Sequence, residues 1–156
     1  MLRWFLRISL ASALISAIWF LIPFLQSAES QAKQQQEKLL DFAAHQNWKR
    51  VYLLLAQDYS DAWGMKRDEA LNAAHEVLQS FIMVSFDWKL QSAARDGKTV
   101  TLTGTIHMTG SGATGSSLIV DHVNRIEKPW VFLWRKDGWK PGDWHLISIA
   151  NADVTL

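Results

Sequence analysis

The chain has no cysteine among its 156 residues. That excludes a disulfide framework, a thiolate nucleophile and any cysteine-ligated metal, and it suits an oxidising compartment without requiring one. Charge of one sign is equally missing, with 16 Lys+Arg against 15 Asp+Glu. No internal repeat is visible. GSGATGSS (110–117) offers backbone N–H groups but lacks the Lys-Ser/Thr ending of a phosphate cradle, and no nucleophile-elbow sequence frames a serine. His107, His122 and His145 stand in no recognised metal-ligand spacing, so no metal and no cofactor is expected.

What the sequence does have is one long apolar run. Residues 8–25, ISLASALISAIWFLIPFL, form 18 uncharged positions, and about 20 helical residues span a hydrocarbon core. The alternative is a cleaved signal peptide with Arg3 and Arg7 as its basic n-region. Its ending is poor, because Gln26 is large where a small residue is wanted and Trp19, Phe20 and Pro23 are bulky. An uncleaved signal anchor is the preferred reading. Arg3 and Arg7 precede the run and no acidic residue does, which places the N-terminus in the cytoplasm and the rest outside it. The expected localisation is a bacterial inner membrane, single-pass, with a periplasmic C-terminal domain. Without those two arginines, 14 basic residues face 15 acidic ones, a balance of −1, so no nucleic-acid partner is implied.

The sequence divides into a cytoplasmic tip and anchor (1–25), a polar linker or helix extension (26–36) and a domain (37–156). Helix is expected from about Gln31, with Leu39, Leu40, Phe42 and Ala43 as its apolar stripe ending near His45. Asn47 caps a second helix over 48–59. A third carries Asp68 and Glu69 in its first turn, with Leu71, Ala74, Leu78 and Phe81 at helical spacing. The period then drops to 2. Val84, Phe86, Trp88 and Leu90 alternate with polar residues, an Asp96-Gly97 turn follows, and Val100, Leu102, Gly104, Ile106 and Met108 return. Residues 118–128 carry no clear pattern. A closing hairpin pairs 130–136 with 144–151, and Val131 and Leu133 make its first strand apolar on both faces. The expected fold class is α+β, with an N-terminal transmembrane helix and then three helices packed on a curved antiparallel sheet.

The order of elements and three phrases resemble the nuclear-transport-factor-2-like superfamily, which includes ketosteroid isomerases and polyketide cyclases. The phrases are NWKRVYLLLAQDYSDAWG (47–64), TVTLTGTI (99–106) and FLWRKDGWKPGDWHLISI (132–149), and the likeness covers about residues 31–154. It implies a cone-shaped, cystatin-like arrangement enclosing a pocket, on which enzymes, ligand carriers and protein-binding modules all occur. Matched to the isomerase branch, Trp63 falls near the catalytic carboxylate, Leu39 near the helical tyrosine and the Trp130 region near the strand acid. All three chemical groups are missing from those positions.

Asp58, Tyr59 and Asp61 in QDYSDAW are the candidate acid and base groups, since a base needs a carboxylate in reach of its proton and apolar walls to raise its pKa. Against that, such residues commonly satisfy backbone groups where one helix stops and another begins. Asp143 and His145 share a strand face, which suits an ion pair or hydrogen bond as well as it suits a catalytic dyad, whereas cross-strand pairing accounts for Asp87 and Lys89. Of nine tryptophans, Trp130, Trp134 and Trp144 are expected in the core. Tyr59, Trp63 and Trp88 are the candidate pocket walls. The function expected is a membrane-tethered, extracytoplasmic, non-catalytic module for an envelope protein partner or small apolar ligand, with a homodimer through the sheet face. The alternatives are an isomerase, dehydratase or cyclase using the pocket, and an accessory subunit of an envelope secretion complex.

Overall fold

The computed structural model describes residues 26–154. The anchor expected over 8–25 lies outside them, and no described helix is long and apolar enough to cross a membrane. Helix α1 is Ala28–Ala44, α2 is Trp48–Leu54 and α3 is Arg67–Leu78. Strands β1 (Phe81–Asp96) and β2 (Thr99–Gly112) follow, then helix α4 (Ser116–Asn124) and strands β3 (Trp130–Lys136) and β4 (Trp144–Ala150). The four strands form one antiparallel sheet in sequence order.

Helix α1 begins earlier than the hydrophobic stripe suggests, because Ser27 Oγ accepts from the Ser30 amide at 3.2 Å and caps it. Its buried face is mostly glutamine: Gln31, Gln35 and Gln36 with Ala32 and Leu39. The polar 26–36 stretch thus supplies a core-facing helix surface. The chemical reason lies across the interface, where Trp134 Nε1 donates to Gln36 Oε1 at 3.0 Å and Trp144 Nε1 to Gln31 Oε1 at 3.1 Å. A buried indole N–H requires an acceptor, and an aliphatic side chain has none.

Helix α2 stops at Leu54, short of the expected 48–59. Leu55 turns extended, and the segment runs beside β4: the amides of Ala56, Ser60 and Ala62 donate to the carbonyls of Leu146, Ile147 and Ile149 at 2.9, 3.1 and 3.0 Å. The open edge of β4 competes for those amides and wins. Phe81 begins β1 and does not continue α3. The unpatterned 118–128 stretch contains α4, a fourth helix where three were expected. Asn124 at its end inserts into the sheet, accepting from the Met108 amide at 2.7 Å and donating to the Met108 carbonyl at 2.9 Å. There β3 no longer pairs with β2, whose register with it ends at Gly104 and Trp130.

The core centres on Val100, Leu102, Phe132, Trp134, Trp144 and Leu146, packed beneath Leu39, Val51, Leu55 and Tyr59. Gly104 makes one contact possible. A Cβ there would lie 2.3 Å from the Lys89 carbonyl oxygen and 2.8 Å from the Trp88 ring. Trp88 therefore lies flat across β2 and meets Phe132 edge-on at 5.2 Å.

Candidate functional site

The sheet is packed at one end and hollow at the other. Two adjoining chambers, of about 210 and 370 Å³, lie between it and the helices. Leu40, Tyr59, Ala70, Ala74, Ile106, Trp130 and Ile149 line both. The space exists because α3 turns small residues inward: Ala70, Ala73 and Ala74 stand where leucines would reach the sheet. Helix α3 is clipped at its start, where Arg67 Nη2 donates to the Tyr52 carbonyl at 2.5 Å and its guanidinium lies 3.5 Å from the Tyr52 ring centroid. Toward its end Val77, 44 % exposed, carries the larger chamber out to solvent.

Among the described residues only two titratable side chains line these chambers, Tyr59 and Asp61. Both are buried, at 2 % and 7 % exposure. Asp61 Oδ1 accepts from the Trp63 and Met65 amides at 3.0 and 2.9 Å, a carboxylate folding the turn that follows it. Burial first, and then the charge of Asp61 and a hydrogen bond with it, push the Tyr59 phenol well above the usual tyrosine range. Tyr59 is thus neutral at any physiological pH.

Asp58 is outside both chambers. Its carboxylate takes two bonds from Arg135, at 2.8 and 2.9 Å; these, with a backbone hydrogen bond, hold its pKa down to about 2. Arg135 also bonds Asp137, which His145 meets at 2.9 Å. His145 therefore pairs with Asp137 rather than with Asp143, whose Oδ2 accepts from the Lys140 amide at 3.0 Å. The surface pair Asp87–Lys89 lies 3.8 Å apart. Among the described residues no three His, Asp or Glu side chains gather as a metal site.

The tryptophans divide by environment. Trp63 lines the larger chamber and donates Nε1–H to the Val154 carbonyl at 2.7 Å. Trp130 lines both chambers, edge-on to Trp63 at 6.4 Å. Trp88 lines neither, packing on Phe132 behind the wall. The Nε1–H of Trp130 is buried without a protein acceptor. Trp130 was expected in the core stripe, and its spacing gave no sign that the helix opposite would be lined with alanine. The three isomerase-matched positions, Leu39, Trp63 and Trp130, all face this cavity.

No family model and no curated protein matches the chain. Solved structures do match its fold. A protein from Streptomyces avermitilis provisionally named a dehydratase of the NTF2-like family superposes with a TM-score of 0.57 at 14% identity, over 77% of this chain and 91% of that one. An NTF2-like protein from Cytophaga hutchinsonii gives 0.54 at 12% identity, over 81% and 99%. A protein from Novosphingobium aromaticivorans provisionally named a scytalone dehydratase gives 0.53 at 8% identity, over 81% and 87%. The architecture is the nuclear-transport-factor-2-like fold, α+β with one four-stranded antiparallel sheet and four helices among the described residues.

Proposed function

We propose that this chain is a non-catalytic binding module that takes a small apolar molecule into its cone, tethered by residues 8–25 with the domain outside the cytoplasm. The observation that carries the reading is the cavity's chemistry. Its walls are apolar, and its one carboxylate, Asp61, already folds the adjacent turn and bonds Tyr59. Pockets of a few hundred Å³ with few polar groups hold ligands mainly by burial. The unpaired Trp130 Nε1–H on the wall favours a ligand with one hydrogen-bond acceptor, such as a carbonyl or ether oxygen. A base on the wall would need its lone pairs free for the substrate proton.

Native mass spectrometry of the full chain, exposed to a panel of cyclic ketones and apolar esters, tests this. Wild type retains a ligand that Ala74→Phe loses. Turnover of a ketone that disappears in Asp61→Asn with the fold kept would instead make Asp61 a base and the protein an enzyme. The tether is tested separately, by a reporter fused after Leu156 that is active only in the periplasm. Activity of a cytoplasmic reporter would reject the topology.

A further inference from the structure

The end of the domain at which the described residues begin carries a feature that ligand binding does not use. Three segments converge there: the start of α1 (Gln26, Ala28, Gln31), the β1–β2 turn (Arg95, Gly97, Lys98) and the β3–β4 loop (Lys136, Asp137, Gly138, Trp139). They surround an open groove of about 410 Å³. The two hairpin ends are joined by the Lys136 amide donating to the Lys98 carbonyl at 2.9 Å. Lys136 Nζ in turn donates to Gln31 Oε1 at 2.8 Å, which ties the loop to α1.

The groove is basic. Arg95, Lys98 and Lys136 line it against one acid, Asp137, and that carboxylate is engaged by Arg135 and His145. Lys140 follows on the same loop, its Nζ 6.0 Å from the Trp139 ring centroid. Of the nearby acids, Asp96 stands at the turn between Arg95 and Lys98 without lining the groove, Glu29 feels the charge of Arg95, and Asp143 is bonded to the Lys140 amide. Trp139 is 74 % exposed beside these cations. Indoles favour the head-group layer of a bilayer, and Lys and Arg near an anionic surface are each attracted to it.

Position supplies the occupant. Gln26 lines the groove and is the residue directly after the 18-residue apolar run of 8–25. We infer that this end is the surface on which the domain rests against an anionic phospholipid bilayer, with head-group phosphates among Arg95, Lys98 and Lys136 and with Trp139 at head-group depth. The inference builds on the proposed anchor, which would deliver the groove to the bilayer at its point of emergence. Resting this way aims the opposite end of the sheet, and the Val77 side of the cavity, away from the lipid.

The lack of native cysteine makes the test direct. Full-length Trp139→Cys, labelled with a polarity-sensitive fluorophore, is reconstituted into phosphatidylcholine vesicles with and without phosphatidylglycerol and with a head-group spin-labelled lipid as quencher. Ile82→Cys is the comparison, 84 % exposed at the far end of β1. Label at 139 should be blue-shifted and quenched in the anionic vesicles, less so at high salt, while label at 82 stays unquenched. Adding Lys98→Gln and Lys140→Gln should lower the docked-to-undocked ratio about 30-fold, the effect of two basic residues at such a surface. Equal and weak quenching at 139 and 82 overturns the inference, as does quenching at 139 that ignores phosphatidylglycerol, salt and the lysine changes. The anchor is read independently by alkaline extraction. A chain extracted by alkali but quenched at 139 beforehand would lose the anchor and keep the surface.

Discussion

One sheet supports two opposite interiors. At the end near Gln31, Trp134 and Trp144 are only 0 % and 1 % exposed, and each indole N–H meets a glutamine oxygen. Toward Val154, Trp63 and Trp130 stand around open space with alanines opposite, and the N–H of Trp130 has no acceptor. Strand chemistry is the same in both halves; the helices differ. Glutamine on α1 satisfies what it covers, whereas alanine on α3 leaves room.

The largest expected effect tests the filled half. Trp134→Ala should cost about 3 to 5 kcal/mol, read by chemical denaturation of the full chain. Trp130→Ala should cost clearly less, because its ring already borders a cavity; equal costs would break the distinction between the two ends. Next comes Gln31→Leu, which leaves the Lys136 ammonium and the Trp144 N–H without this acceptor. A loss of about 1 to 3 kcal/mol is expected, visible as an earlier denaturation midpoint. Gly104→Ala should be of similar size, about 1 to 3 kcal/mol from overpacking, with Trp88 fluorescence shifting as its ring is displaced. In the hollow half, Ala74→Leu should leave stability unchanged or raised while ligand uptake falls. A loss of stability above about 1 kcal/mol would mean that the chamber is already filled by packing.

The smallest effect belongs to the surface. Asp58, depressed to about 2 by Arg135, adds stability above the ordinary carboxylate value near 4 and loses it as pH falls toward 2. Its side chain is 65% exposed, so solvent screening keeps that contribution small. Carbon NMR of Asp58 should show titration near 2 in wild type and a return toward the ordinary range in Arg135→Gln.

Much of the fold was legible. Period-2 alternation located the first hairpin, the Gly and Pro turn residues between two apolar runs located the second, and Asp68 and Glu69 marked the start of α3. The failures share a cause in distant partners. Helix was readable from about Gln31, but the burial of Gln31 and Gln36 was not, because its reason, two indole N–H groups, lies about a hundred residues away. The end of α2 at Leu54 depends on β4, which no local pattern announces. The position of Tyr59 and Asp61 near a pocket was readable from the resemblance, but the separation of Asp58 from them was not. It depends on Arg135, 77 residues downstream. The alanines at 70, 73 and 74 were visible at helical spacing; only the assembled fold shows that they face a void.

The segment joining α2 to α3 gives the cavity a fixed jamb and a movable door. Because Ala56, Ser60 and Ala62 are stitched to β4, Tyr59 and Asp61 are held in place relative to the sheet. Helix α3 is held at its ends, by the Arg67 clip and by Gln46 Nε2 donating to the Leu78 carbonyl at 3.2 Å, and of its residues only Leu78 is buried. A guest larger than the chambers would therefore press on the middle of α3, between its two tied ends, while the polar contacts of Tyr59 and Asp61 stay in place. Substitutions on that one helix would retune which guests fit without disturbing the groups that orient them.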